Sequence, residues 1–266
     1  MKIFILTWCL LLISSTALQA QAYLPESGNK YFFIGVSFPI YKIKDLANSP
    51  QVYSSIQLQV RAGVEEMIQS SVSRFLVTFT FGRITAPFIH FYRPSESYAF
   101  VRDIQFSYSY YARLGDYYVY NPNYFMGGGV SLTFNNREYN LPGKNREGFN
   151  YTLAFNGGGI FRTQKNNVDI YTGEVNTALL AYSVRPNYNG MQNFSEHNIK
   201  DGNLRYGRIA TIDKVFNLYC RLSYQVPITD NRQSQLNYSW ELNRNTTSQP
   251  TQSVRGGFGY DVLLKL

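Results

Sequence analysis

Histidine and cysteine are scarce in this chain, with two of each in 266 residues. Cys9 falls in an apolar N-terminal run, which leaves Cys220 alone beyond it. One thiol can make neither an intramolecular disulfide nor a cysteine metal centre. Any imidazole-based metal or catalytic site would have to be built on His90 or His197. Charge is thin as well: Asp, Glu, Lys and Arg make up 16% of the chain, against roughly 25% in ordinary soluble domains. The net charge is +8, but the basic residues are scattered without a dense Lys/Arg run, so no nucleic-acid footprint is read. No apolar run beyond the N-terminal one approaches the length of a membrane-spanning helix. Gly127–Gly129 and Gly157–Gly159 lack the Lys-Ser/Thr that follows a phosphate loop, and neither opens a helix. They read as bends or close backbone approaches inside strands.

Met1 to Ala20 has the layout of a cleaved secretory signal peptide. Lys2 supplies the positive start, Ile3–Ile13 the apolar stretch, and Ala20 and Ala22 the small residues. Residues 21–266 then form a single domain. Aromatic residues reach 17%, dominated by 23 Tyr and 19 Phe. A chain rich in Tyr, poor in charge and not uniformly apolar suits a wall with one face to lipid and one to water.

Period-2 alternation is the main local signal. In Val52–Val64, the residues Val52, Ile56, Leu58, Val60 and Val64 share one face, opposite Tyr53, Gln57, Gln59 and Arg61. The same alternation marks Ser71–Gly82, Val101–Gly115, Val215–Val226, Ser234–Asn243 and Ser253–Leu266, and more weakly Lys30–Tyr41, Phe125–Arg137, Gly148–Arg162 and Asp169–Val184. Tyr206–Ile212 reads as the outer end of the Val215–Val226 strand. The pattern predicts an all-β fold, a transmembrane antiparallel up-and-down β-barrel of about ten strands, with twelve as the alternative count. Links are expected to alternate between long (Lys42–Gln51, Arg83–Phe100, Arg137–Glu147, Arg185–Arg205, Arg244–Gln252) and short (Glu65–Ser70, Thr163–Val168, Pro227–Gln233). Asp116–Tyr124 fits that rule poorly. Outer loops and periplasmic turns alternate in this way.

The face opposite the apolar one carries Arg61, Arg74, Arg113, Arg221, Asp103, Glu241, Arg255 and Asp261, which are the expected lumen charges, with Glu174 beside them. Running the strands up and down places Arg61, Arg74 and Arg113 near the periplasmic end of three neighbouring strands, as a basic cluster. Such charges could line an ion path. Alternatively they pair with one another inside a packed polar interior, as buried charges must, and a barrel of ten strands lies near the size that side chains fill.

Ser253–Leu266 sets Val254, Phe258, Tyr260, Val262, Leu264 and Leu266 against Arg255, Gly257, Gly259 and Asp261. It resembles the closing strand of Gram-negative outer-membrane β-barrels, which the insertion machinery reads; the last residue is Leu where Phe is usual. The Tyr/Asn-rich style, with Val184-Arg185-Pro186-Asn187-Tyr188, resembles uncharacterised barrels of Bacteroidota. The resemblance implies residence in the outer membrane, contact with its lipid and recognition of the closing strand by the insertion machinery. It carries over no catalytic, cofactor or metal residue. The expected function is a non-enzymatic barrel acting as a narrow pore, a structural element or a partner in an envelope complex. One alternative is an outer-membrane hydrolase of lipid or peptide using His90 or His197. Ser195 and His197 stand two residues apart as in the outer-membrane phospholipases, but in reverse order, and no omptin-protease motif is found. The other alternative is a secreted soluble β-sandwich that binds a ligand.

Overall fold

The computed structural model describes residues 28–45, 49–68, 70–85, 98–114, 123–141, 144–165, 168–184, 207–246 and 250–266. Successive side chains of an extended chain point to opposite faces, and here that alternation decides burial. From Tyr31 to Lys44 every odd position is buried and every even position exposed.

Thirteen strands form one antiparallel sheet: β1 (Asn29–Ser37), β2 (Ile40–Asp45), β3 (Ser49–Ile56), β4 (Leu58–Ile68), β5 (Ser71–Thr85), β6 (Tyr98–Arg113), β7 (Asn123–Leu141), β8 (Lys144–Lys165), β9 (Val168–Val184), β10 (Arg208–Thr211), β11 (Val215–Thr229), β12 (Arg232–Asn245) and β13 (Thr251–Lys265). Because β1 pairs with both β4 and β13, the sheet closes on itself. A closed barrel has no free edge, and the two-sheet sandwich is not the architecture.

The barrel has ten staves, the number that the alternation predicts. Three staves are each made of two strands. β1 and β2 share one register along β13, with Ser37 opposite Gly259 and Ile40 opposite Gly256. β3 and β4 continue one another in the same way opposite them. Both breaks fall where Pro39 meets Gln57. Proline has no N–H for the ladder, while its carbonyl still accepts from Gln57 N at 2.9 Å. β10 pairs with β9 beyond the end of β11, after a turn in which Lys214 N donates to Thr211 O at 2.9 Å. The described part of Tyr206–Ile212 therefore belongs to the stave of Val215–Val226.

Strands run further than the alternation alone suggests. Only residues 46–48 separate β2 from β3, and only 142–143 separate β7 from β8. Two of the five links expected to be long, Lys42–Gln51 and Arg137–Glu147, are therefore tight. Ladder hydrogen bonds need no apolar face, so β7 and β8 stay paired from Asn123↔Arg162 up to Leu141↔Lys144. Residues 114–122 separate β6 from β7, a longer link than the other short ones.

β1 begins and β13 ends at one rim, called lower here, with Tyr31 opposite Lys265. The outward face is apolar between the rims, with Ile56 68% and Phe258 75% exposed. Of the closing strand, Phe258, Tyr260 and Leu266 are exposed, while Arg255 and Asp261 point inward with Asp261 fully buried. The two glycine triplets face each other across β7 and β8, Gly127 opposite Gly158 and Gly128 opposite Gly157. A Cβ on Gly127 would stand 2.1 Å from the Tyr110 carbonyl oxygen on β6, and one on Gly158 2.1 Å from that of Val175 on β9. The wall there is drawn so close that only glycine fits, as expected of glycines within strands.

Candidate functional site

The site to consider is the barrel interior, where inward alternation collects the charges. In its lower half Arg61, on β4, grips Asp261, on β13, with Nε to Oδ1 at 2.7 Å and Nη2 to Oδ2 at 2.8 Å. Such forked pairs are among the stronger charge-assisted contacts. Arg221, on β11, donates to the same carboxylate at 2.8 Å, and Asn237 adds a bond at 3.2 Å. Beside this triad, Arg74 on β5 holds Glu65 at 2.6 Å and Glu174 at 2.5 Å. Arg162, on β8, takes the other oxygen of Glu65 at 2.6 Å. Asn176 donates to Glu174 at 2.7 Å, and the Tyr111 hydroxyl donates to Asn176 at 2.8 Å.

The upper half has fewer charges. Arg255 on β13 pairs with Asp103 on β6 and lies 3.5 Å from Glu241 on β12. Asn135 donates to Asp103, and Arg137 donates to Asn135. Arg255 also sits over the Tyr41 ring, 4.9 Å from its centroid.

Three of these pairs span the lumen. Arg74 and Glu174 lie on staves with three others between them (β6, β7 and β8). The same separation holds for Arg162 and Glu65, and for Arg255 and Asp103. Inward apolar clusters flank the lower layer: Tyr31, Phe33 and Leu263 on one side, Val72, Tyr111, Phe125 and Ile160 on the other. A third, made of Tyr41, Ile43, Tyr53, Ile84, Ala99 and Val101, lines one wall of the upper half.

All eight expected lumen residues sit on inward-facing positions, and so does Glu174. Arg61, Arg74, Arg221, Asp103 and Asp261 are buried, and Arg255 and Glu241 are nearly so. Arg113, at the lower rim, donates to Asn123. Arg61, Arg74 and Arg113 stand on three neighbouring staves, β4, β5 and β6. Arg61 turns to Asp261 and Arg74 to Glu65 and Glu174, so carboxylates separate them. Three further lumen charges, Glu65, Arg137 and Arg162, fall at or beyond the ends of the segments read from alternation. His90 and His197 lie outside the described residues. Among the described residues no group of three or more His, Cys, Asp or Glu could hold a metal ion. Cys220 is a free thiol on the outward face of β11, where a small apolar side chain suits the wall.

No family model matches the chain, and no curated protein does. Among solved structures it is similar to the outer membrane protease OmpT from Escherichia coli, at a TM-score of 0.56 and 6% identity over 91% of this chain and 99% of that one. It is also similar to the translocator domain of the autotransporter NalP from Neisseria meningitidis, at a TM-score of 0.49 and 8% identity over 94% of this chain and 93% of that one. The OmpT likeness supports an outer-membrane type of barrel. At such identity it is a likeness of fold and carries no chemistry with it.

Proposed function

We propose that the chain is an integral outer-membrane barrel that seals its own lumen and acts without catalysis, as a structural element of the wall or as the membrane-embedded member of an envelope complex. One observation carries this reading: three ion pairs reach across the lumen between staves with three others between them, in two layers. Side chains committed to one another across a channel leave no continuous path for a hydrated ion. Ten staves lie near the size that side chains fill, well short of the roughly sixteen at which an open channel appears. The apolar outer face supports contact with lipid. The alternation of β13 supports its recognition by the insertion machinery.

Conductance across a planar lipid bilayer tests the seal. The purified barrel should show no steady unit conductance. The double substitution Glu65→Gln with Glu174→Gln strips Arg74 of both carboxylates and should produce conducting openings. A steady wild-type conductance that changes with substitution of Arg61, Arg74 or Arg113 would overturn the seal in favour of a narrow pore. Heat-modifiable gel migration with partition into detergent separates the membrane barrel from a secreted soluble one. The hydrolase alternative would place its chemistry on His90 or His197, and an esterase or protease activity lost on replacing either would displace the non-catalytic reading.

A further inference from the structure

We infer that the outer wall around β2, β12 and β13 holds a binding site for a phosphorylated membrane lipid. The inference rests on the membrane reading above. Lys44, Gln252 and Arg244 stand in register on three adjacent strands, all facing outward at the upper edge of the apolar band. In the next outward row, Lys42, Val254 and Leu242 are likewise in register, so a polar, mainly basic row gives way to one in which two of three residues are apolar. Together they line a groove of about 670 Å³. Its far wall is the turn between β10 and β11, with Ile212 and Asp213, and Phe216 opposite Arg244.

Charge complementarity fixes the occupant. Lys42, Lys44 and Arg244 are exposed, and among the described residues none has a carboxylate partner. The single acid of the groove, Asp213, accepts a hydrogen bond from Thr211 and leaves the lining net positive. The outward arginines of the opposite wall are engaged: Arg83 lies 4.0 Å over the Tyr98 ring, and Arg102 pairs with Glu138 at 3.2 Å. A phosphate at the height of Lys44 and Arg244 would place acyl chains along Val254 and Leu242. Headgroup charge and chain burial then act on one molecule, which a soluble anion cannot reproduce.

Native mass spectrometry of the full barrel, released from non-ionic detergent micelles, tests the site. The probes are dioleoyl phosphatidic acid, dioleoyl phosphatidylcholine and inorganic phosphate. The acid lipid should be retained in preference to the other two. Lys42→Gln, Lys44→Gln and Arg244→Gln combined should lower its retention about a hundredfold, at about fivefold per basic residue. Arg83→Gln with Arg102→Gln should leave it unchanged. Equal retention of phosphatidylcholine, of inorganic phosphate, or of the acid lipid by the triple variant would overturn the site. Heat-modifiable migration of each sample keeps this outcome apart from failure of the membrane reading, in which no sample would migrate as a folded barrel.

Discussion

The two ion layers of the lumen share their charges differently. In the lower layer two carboxylates are each shared by two arginines, Asp261 by Arg61 and Arg221 and Glu65 by Arg74 and Arg162, and Arg74 also reaches Glu174. In the upper layer the keystone is an arginine, with Arg255 serving both Asp103 and Glu241. The lower side chains are at most 11% exposed, whereas Arg255 and Glu241 reach 13% and 17%. Apolar clusters flank the lower layer, while in the upper half they line the walls. Loss of Asp261 should therefore strand two deeply buried cations below, whereas loss of Asp103 above should leave Arg255 a second partner.

Asp261→Asn gives the largest effect. Removing one partner of a buried pair costs about 3–5 kcal/mol, because the remaining charge cannot recover its hydration. Here two arginines and Asn237 lose the shared negative charge and one of its two acceptor oxygens together. The urea midpoint in detergent micelles, with folded fraction read by heat-modifiable migration, should fall accordingly. A shift no larger than that of the corresponding upper substitution would break the contrast between the layers.

The upper substitution is Asp103→Asn. It removes one charge-assisted contact but keeps the Arg255–Glu241 approach, the ring of Tyr41 beneath the guanidinium, and an amide able to face Asn135. A loss of about 2 kcal/mol is expected, the scale of one hydrogen bond to a charged group. Adding Glu241→Gln should cost more than the sum of the two single changes, because only then is Arg255 without an acid.

The contrast also marks what alternation can convey. Staves were legible because outward residues such as Phe75, Phe79, Ile104 and Phe258 must be apolar, and inward ones such as Arg61 and Asp261 need not be. Alternation fades where the apolar band ends, although the ladder continues, and that is where the lower layer takes its missing members. Glu65 and Arg162 stand at the ends of the segments the pattern marks, so Arg61 and Arg74 looked like parts of a basic cluster rather than of separate pairs. The turn dipeptide Pro142-Gly143 could have shown that β7 and β8 form a tight hairpin, and with it that Arg137 lies within a strand. The inward clusters gave no such signal. Phe33, Val72, Phe125 and Ile160 are apolar residues facing the lumen, which a rule equating apolar with outward cannot place. Which charges meet across the lumen depends on the order of staves around the barrel and on their stagger, and neither is written in any one strand.

The same pairing chemistry outside the lumen supplies the baseline, and it should give the smallest effect. Arg102 and Glu138 lie 3.2 Å apart on the outer face of β6 and β7, with side chains 65% and 43% exposed. Both keep most of their hydration, so neither partner is stranded when the other is removed. A double-mutant cycle with Arg102→Gln and Glu138→Gln should give a coupling of about 0.2–1 kcal/mol. Raising the salt to about 1 M shortens the screening length to roughly 3 Å and should remove most of that coupling. The cost of Asp261→Asn should hardly change under the same salt, since ions cannot enter between the lower layer and its apolar flanks. Equal salt sensitivity inside and outside would mean that water and ions reach Asp261, and would undo the proposed seal.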